Sequence, residues 1–363
     1  MEKTKKKSTI GRILKTIGII LLALILLLVG YVAYVLISFH RIGDQPIAPE
    51  GNATGTMETG TEYRIVSYNI GFGAYEPDFG FFMDGGDRAW AWSKERLDKN
   101  LTNIGAFLKE QDADLYLVQE VDIGSTRSYY FDERPYLCDA LPDTAYTFAQ
   151  NYDSPFLFYP LTQPSGVAKA GLMTFSKTPI ASAERVELPI ESGLTKLLDL
   201  DRCYSKDRIA LGNGAELVLY NLHLSAYTSD GTIATEQLEL LIADMQAEYE
   251  KGNYCIAGGD FNKDVLYDSS VYFGKAEEEY TWAQSIPDEM FQGTNITLIR
   301  PVDESNPVAS WRNADGTPVE GRYRLTLDGF MVSDNVEVVD ANVIDTDFAY
   351  SDHNPVEMRF ILK

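Results

Sequence analysis

Hydrophobic positions form one long uninterrupted run near the N-terminus and many short runs after it. From Thr16 to Phe39 no residue is charged, and Leu, Ile and Val dominate the composition. A run of this length spans the roughly 30 Å hydrocarbon core of a bilayer as a helix, whereas a buried globular helix rarely stays apolar on every face. We therefore predict one transmembrane helix over residues 16–39.

Basic residues precede that run and predict its orientation. Residues 1–15 hold six Lys and Arg residues and one acid, and such a flank stays on the cytoplasmic side. A cleaved signal peptide is the rival interpretation, but its apolar region is usually only about 7–15 residues. No clear small-x-small cleavage site follows Tyr31. We expect a single-pass signal-anchor at the cell membrane, with a cytoplasmic tail over 1–15 and an extracytoplasmic body.

The remaining chain alternates between strand-like and helix-like segments. Residues 40–61 are rich in Gly, Pro, Thr and Ala and predict a linker, so we place the folded body at 62–363. Apolar residues at intervals of three or four predict a helix after Ser93 and a second helix over about 232–250. Many short strands with few long helices favour two packed sheets with helices outside.

Polar residues stand where several of the predicted strands meet loops. They are Asn69, Glu120, His223, Asp260, Asn262, Asp328, Asp352 and His353. Taken singly, each has a structural explanation, such as a turn former or a solvated strand end. Ligand and catalytic sites are commonly built at such rims. As a set, these residues predict one polar site.

The charge balance excludes some functions and leaves others open. The chain has 363 residues, with 54 Asp and Glu against 31 Lys and Arg, and its net charge is −23. A protein that coats nucleic acid needs a Lys- and Arg-rich face. The acid excess therefore excludes DNA packaging and regulatory DNA binding. An enzyme that meets a phosphate through bound cations is still compatible with this charge.

Rival chemistries lack the residues they need. The chain has three histidines, and His40 borders the apolar run, so a three-His zinc site is excluded. Three cysteines are too few for a disulfide scaffold, and none has zinc-site spacing. Ser351, Asp352 and His353 are adjacent and cannot form a nucleophilic relay, and neither a Gly-x-Ser-x-Gly elbow nor a phosphate-binding P-loop motif occurs.

Six short motifs follow one another along the body. They are Ser67-Tyr-Asn69, Gln119-Glu120, Asn221-Leu-His223-Leu224, Gly259-Asp-Phe-Asn262, Leu327-Asp328-Gly-Phe330 and Ser351-Asp-His353. In this order they resemble the motifs of the endonuclease/exonuclease/phosphatase superfamily, and the resemblance covers about residues 61–363. It implies an α/β (α+β) fold, a four-layer sandwich of two packed mixed β-sheets flanked by helices, with the site at one rim.

The resemblance also implies a metal site. By analogy with the family, Glu120 is the main metal ligand, Asn69 lies beside it, and Asp352 lies at or near a metal. Oxygen ligands of this kind suit Mg²⁺, with Mn²⁺ as the alternative.

The same resemblance implies catalytic roles for five other residues. Asp260 aligns or deprotonates the attacking water, and Asn262 faces the same site. His223 and His353 contact phosphoryl oxygens or exchange protons, and Asp328 orients His353.

The function we expect is a metal-dependent, extracytoplasmic phosphodiesterase of the nuclease or phospholipid head-group type. The setting of His223 is closer to the deoxyribonuclease and sphingomyelinase branches than to abasic-site repair nucleases. One alternative is a phosphomonoesterase acting on inositol or sugar phosphates, and another is an inactive binding module on the same fold. The expected partners are a phosphoester (extracellular nucleic acid, a phospholipid head group or another ester) and the membrane, with no partner protein.

Two further segments lie next to the motifs. Residues 71–86 are unusually aromatic and predict either a lip for a base or lipid or an insertion packed on the body's own surface. Arg127, in the run 125–130, and Lys169 are either phosphate donors or ordinary surface residues.

Overall fold

Two β-sheets form the centre of the body in the computed structural model. The structure describes residues 2–191, 201–226, 232–274, 283–316 and 323–363, and side chains from residue 9 onward. Within these ranges the strands are β1 Gln45–Ile47, β2 Glu50–Gly51, β3 Glu62–Asn69, β4 Leu115–Asp122, β5 Ala145–Leu157, β6 Gly166–Ser176, β7 Ser182–Glu187, β8 Cys203–Ala210, β9 Glu216–His223, β10 Tyr254–Asp260, β11 Ile296–Ile299, β12 Trp311–Arg312, β13 Arg324–Leu325, β14 Asp328–Ser333, β15 Val336–Val343 and β16 Val356–Leu362. The helices are α1 Glu2–Ser38, α2 Lys94–Gln111, α3 Arg134–Ala140, α4 Thr232–Glu250 and α5 Ser270–Phe273.

Each sheet has seven strands within the described residues. One runs in the order β1-β7-β8-β9-β10-β14-β11 and the other in the order β15-β16-β3-β4-β6-β5-β2. In each sheet a single neighbouring pair is parallel, β9 with β10 and β3 with β4, and the other named pairs are antiparallel. The sheets are therefore mixed, as the resemblance implied.

The buried apolar side chains separate into three main layers. Between the sheets, Ile65 and Leu117 pack with Leu219 and Ile256. The outer face of one sheet packs on α2, and the outer face of the other packs on α4. Helix, sheet, sheet and helix make four layers, which confirms the predicted fold class.

Helix α1 belongs to a separate unit, residues 1–41. Within its segment Thr9–Ser38, an 18-residue stretch has a mean hydropathy of 3.0, and the segment is long and apolar enough to cross a membrane. A signal sequence near an N-terminus would show the same features. Membrane attachment and topology therefore stay predictions.

The segment predicted as a linker contributes to the body. The second unit begins at Ile42, and β1 pairs with β7 while β2 pairs with β5. The fully buried guanidinium of Arg185 donates to the carbonyls of Ile42 and Gly43 (3.2 Å to the latter). The folded body thus starts about twenty residues before the predicted boundary, because two edge strands find partners there.

Both long predicted helices are present. The Ser93 hydroxyl accepts a hydrogen bond from the Arg96 amide at the start of α2, and α4 covers the predicted range. The sequence predicts a strand over 325–327 that ends before Asp328. In the structure β13 ends at Leu325, and Asp328 is the first residue of β14.

Candidate catalytic site

Strand register brings the motif residues to one rim of the sandwich. Asn69 lies opposite Gln119 in the parallel pair β3–β4. Asp260 lies opposite His223 in β9 and opposite Asp328 in β14. Because the carboxyl ends of parallel strands meet at the same sheet edge, each sheet supplies part of the site.

Asp260 lies at the centre of the contacts. Its Oδ2 accepts a hydrogen bond from Asn69 Nδ2 at 3.0 Å. The Nε2 atoms of His223 and His353 lie 3.5 and 3.6 Å from the same oxygen. Burial raises the pKa of Asp260 to about 7. The structure thus brings together two histidines and an amide around one carboxylate oxygen.

His353 is hydrogen-bonded to Asp328. His353 Nδ1 lies 2.7 Å from Asp328 Oδ2, and the Ser310 hydroxyl donates to the same oxygen at 2.7 Å. Burial disfavours the imidazolium, but the carboxylates of Asp328 and Asp260 outweigh it and raise the pKa of His353 to about 10. This pairing leaves Nε2 directed at Asp260.

His223 is the neutral member of the site. Burial and the nearby guanidinium of Arg202 lower its pKa well below the usual range. Its Nδ1 is buried and has no hydrogen-bond partner among the described residues. A buried polar atom without a partner is costly. Because Nδ1 is covered, Nε2 is the ring nitrogen that faces Asp260.

Glu120 stands on a distorted part of β4. The pairing of β4 with β6 shifts register between Val118 and Val121, and Glu120 itself has φ +56°. A non-glycine residue in this left-handed region costs on the order of 1–3 kcal/mol. The bulge turns the carboxylate toward Asn69, whose Nδ2 lies 3.3 Å from Oε1.

The donor set around Glu120 fits a hard divalent cation. Within the described part of the chain, the contacts of Glu120 with Asn69 Nδ2 and Arg127 Nη2 are long, at 3.3 and 3.5 Å, and its side chain is 22% exposed. Burial raises the pKa of Asp352. The nearby His353 and Arg312 oppose this effect, and the Glu120 carboxylate adds to it. Two neighbouring carboxylates under mutual repulsion, beside the amide of Asn69, are suited to Mg²⁺ or Mn²⁺.

A second cluster lies beside the first, since Asn69 Nδ2 contacts both Glu120 and Asp260. One oxygen each of Asp260 and Asp328 and a ring nitrogen of His353 lie within 4.8 Å of one another, close enough to hold an ion. In this arrangement His353 Nδ1 and Asp328 are already hydrogen-bonded to each other. The trio is therefore better arranged to position an imidazole than to bind a metal.

Asn262 lies at the site but not on an extended segment. Its φ is +48°, its amide N–H donates to Asp260 Oδ1 at 2.8 Å, and its Nδ2 donates to the Leu224 carbonyl at 2.8 Å. The sequence predicts that Asn262 lies two residues along an extended segment and faces the site; the backbone at Asn262 is instead left-handed, and its role at the site stays a prediction. Asn262 closes a turn that holds Asp260.

A comparison with protein families decides the assignment of the chain. The model of the Endonuclease/Exonuclease/phosphatase family matches residues 66–353, most of the sequence. The chain belongs to this family. Members of the endonuclease/exonuclease/phosphatase family are phosphoester hydrolases and typically use a divalent metal. Among curated proteins, none matches this sequence significantly.

Solved structures share the fold of this family member. An endonuclease/exonuclease/phosphatase from Beutenbergia cavernae DSM 12333 matches with a TM-score of 0.57 and 17% identity, over 83% of this chain and 72% of that one. One from Bacteroides vulgatus matches with a TM-score of 0.52 and 15% identity, over 84% and 100% of the two chains. ANGEL2, a 2',3'-cyclic phosphatase in complex with adenosine-2',3'-vanadate, matches with a TM-score of 0.54 and 16% identity, over 85% and 99%.

Two features of the site were not indicated by the family motifs. Ser310 supports Asp328 from a loop with no recognisable pattern. The aromatic segment 71–86 is partly internal, since Phe72, Tyr75 and Phe79 are buried in the core on the α2 side. These three rings therefore pack the body, while Met83 is exposed.

Proposed function

We propose that this chain is a metal-dependent phosphodiesterase that uses water as the nucleophile. The observation that carries the proposal is the convergence of Asn69, His223 and His353 on one oxygen of Asp260. A phosphoester hydrolase needs an acceptor for the proton of water and donors for the phosphoryl oxygens. These residues supply both within one buried cluster.

In the proposed hydrolysis each of these side chains has its own role. Asp260 accepts a proton from water as the water oxygen bonds to phosphorus, and Asn69 holds Asp260 in place. The bond from phosphorus to the leaving oxygen breaks, and that oxygen takes a proton from His353 or from solvent. Asp328 keeps the His353 ring in the orientation that this step needs.

Glu120, Asp352 and Asn69 would hold the metal ion. A bound divalent cation supplies neutralising charge to the phosphoryl oxygens. The Nε2 atom of His223, which faces Asp260, would contact a phosphoryl oxygen or the leaving group as part of a neutral imidazole.

The substrate class we favour is a phosphodiester outside the cytoplasm. The apolar helix at the N-terminus supports attachment to a membrane, with nucleic acid or phospholipid head groups as the expected esters. ANGEL2, whose fold is similar, is a 2',3'-cyclic phosphatase, so a cyclic nucleotide diester belongs among the substrates to test. A phosphomonoesterase is the alternative within the same chemistry.

A substrate panel tests this function. The full chain in detergent micelles is assayed on DNA, RNA, sphingomyelin, 2',3'-cyclic AMP, inositol phosphates and bis-p-nitrophenyl phosphate, with Mg²⁺, Mn²⁺ or EDTA. We expect turnover of at least one diester that EDTA abolishes and that both Asp260→Ala and His353→Ala remove. Turnover of monoesters alone would favour the alternative, and no metal-dependent turnover would refute the proposal.

A further inference from the structure

Arg127 places a guanidinium next to Glu120. Its Nη2 lies 3.5 Å from Glu120 Oε2, and its side chain is 15% exposed. The residue lies in the loop that follows β4, several positions after the metal-site motif.

The guanidinium is held on two of its nitrogens and on one face. Nε and Nη2 donate to the two carboxylate oxygens of Asp122 at 3.1 and 2.9 Å, and Asp122 is fully buried. The ring centroid of Phe72 lies 3.9 Å from the guanidinium carbon. Because the guanidinium is paired with a carboxylate and stacked on a ring, its orientation is fixed before any substrate binds.

The loop itself is tied to the sheet. Ser125 Oγ donates to the Lys169 carbonyl at 3.0 Å and accepts from the Lys169 amide at 2.8 Å. The Arg127 carbonyl accepts from the Ala91 amide at 2.9 Å. These contacts hold the backbone of Arg127 on both sides of the loop, so its position is preorganised.

The third nitrogen of Arg127 is open. Nη1 makes no hydrogen bond with any residue in the described ranges, and it is not among the fully buried atoms that lack a partner. A guanidinium carries five N–H donors, and two of them are on Nη1. An accessible pair of charged donors beside a cluster of carboxylates matches a tetrahedral oxyanion.

We propose that Arg127 binds a non-bridging oxygen of the substrate's phosphoryl group through Nη1. Phe72 and Asp122 hold the guanidinium while Glu120 faces it. The positive charge offsets the repulsion that Glu120 and Asp260 exert on an incoming phosphate. The inference rests on the proposed function, because it takes the ligand of the site to be a phosphoester.

Phosphate binding without metal is the direct test. Inorganic phosphate is titrated calorimetrically into the full chain in detergent micelles with EDTA. We expect Arg127→Gln to weaken phosphate binding by about tenfold or more, and Arg127→Lys to weaken it several-fold because one ammonium cannot serve both Asp122 and the ligand. Arg134→Gln is the matched control, since Arg134 also pairs with an aspartate and stacks on a ring; its affinity should stay within about twofold.

A structural role for Arg127 would give a different result. If Arg127 only supported Glu120, its variants would weaken Mn²⁺ binding and leave phosphate binding in EDTA unchanged, which overturns the inference. Undetectable phosphate binding by the unmodified chain in EDTA overturns it as well. Because Arg127→Gln leaves Asp122 buried without its partner, the double variant Arg127→Gln/Asp122→Asn removes both charges, and its melting temperature reports folding.

These outcomes are separate from the proposed function. A chain that binds phosphate through Arg127 but hydrolyses no ester would refute the proposed function and keep this inference. A chain that hydrolyses a diester with unchanged KM in Arg127→Lys would keep the function and refute this inference.

Discussion

His353 Nδ1 and Asp328 Oδ2 lie 2.7 Å apart, and both side chains are buried. The carboxylate belongs to the first residue of β14, and the imidazole belongs to the turn before β16, so the contact joins strands of different sheets. Ser310 holds the same carboxylate oxygen from a third segment. The orientation of His353 therefore depends on Asp328.

Asp328→Asn tests this dependence. The amide keeps the volume of Asp328 but loses its charge, so the imidazolium of His353 loses the carboxylate that stabilises it most, and Asp260 is left to do so. We expect kcat on bis-p-nitrophenyl phosphate to fall by about a hundredfold or more, with a melting temperature close to that of the unmodified chain. Asp334→Asn, at an exposed residue, is the control, and equal activity of the two variants would contradict the role of Asp328.

Glu120→Gln tests which cluster binds the metal. Removing the charge of Glu120 should weaken Mn²⁺ binding by about tenfold or more, since hard cations depend on anionic oxygen ligands. Asp328→Asn should change Mn²⁺ affinity by less than about threefold. Calorimetric titration of both variants measures the difference, and a larger loss in Asp328→Asn would instead place the ion at the Asp260, Asp328 and His353 cluster.

Much of the candidate site could be predicted from the sequence because several of its residues stand at the ends of recognisable strands. Asn69, His223 and Asp260 end β3, β9 and β10, and the order of their motifs along the chain identifies the family. The two long helices were also predictable, since their apolar positions repeat at helical intervals and Ser93 caps α2.

Other features depend on contacts between distant segments. The turn at Asn262 and the bulge at Glu120 are backbone conformations that the side-chain pattern of these segments does not predict. The strands at 45–51 have a linker composition and exist because sheet edges accept them. Asp122 and Phe72 both contact Arg127, and no sequence motif links Phe72 to the other two residues.

Asp207 gives a prediction for stability against pH. It lies fully buried between the sheets, accepts hydrogen bonds from Thr147 and Ser205 at 2.6 and 2.7 Å, and burial raises its pKa from 3.8 to about 6. The folded state then holds this proton where the unfolded state has lost it. Its contribution to stability therefore decreases as the pH rises from about 4 to about 6.

Asp207→Asn should remove this pH-dependent penalty. We expect the variant to be more stable than the unmodified chain by about 1–3 kcal/mol at pH 7.5, with the gain shrinking toward pH 4. Urea unfolding across this pH range measures the effect. Asp340→Asn, at a partly exposed residue paired with Arg359, should show no such gain, and a gain for Asp207→Asn that does not vary with pH would contradict the assignment.

Protease accessibility tests the predicted topology. Cells expressing the full chain with an N-terminal tag are treated with protease before and after permeabilisation. If α1 is an uncleaved anchor with a cytoplasmic N-terminus, external protease leaves a short tagged fragment while a cytoplasmic marker stays intact. Protection of the whole chain in intact cells, or release of the body into the medium without added protease, would contradict the predicted topology.

The role of Asp260 as the proton acceptor for water is tested most directly by the effect of Asp260→Asn on diester hydrolysis. The initial rate on bis-p-nitrophenyl phosphate is measured with Mn²⁺ for the full chain, together with Mn²⁺ affinity and melting temperature. We expect Asp260→Asn to lower the rate by about a thousandfold or more. Its Mn²⁺ affinity should change by less than about threefold, and its folding should be unchanged. A variant that keeps more than about a tenth of the activity would contradict the role of Asp260 as the proton acceptor for water.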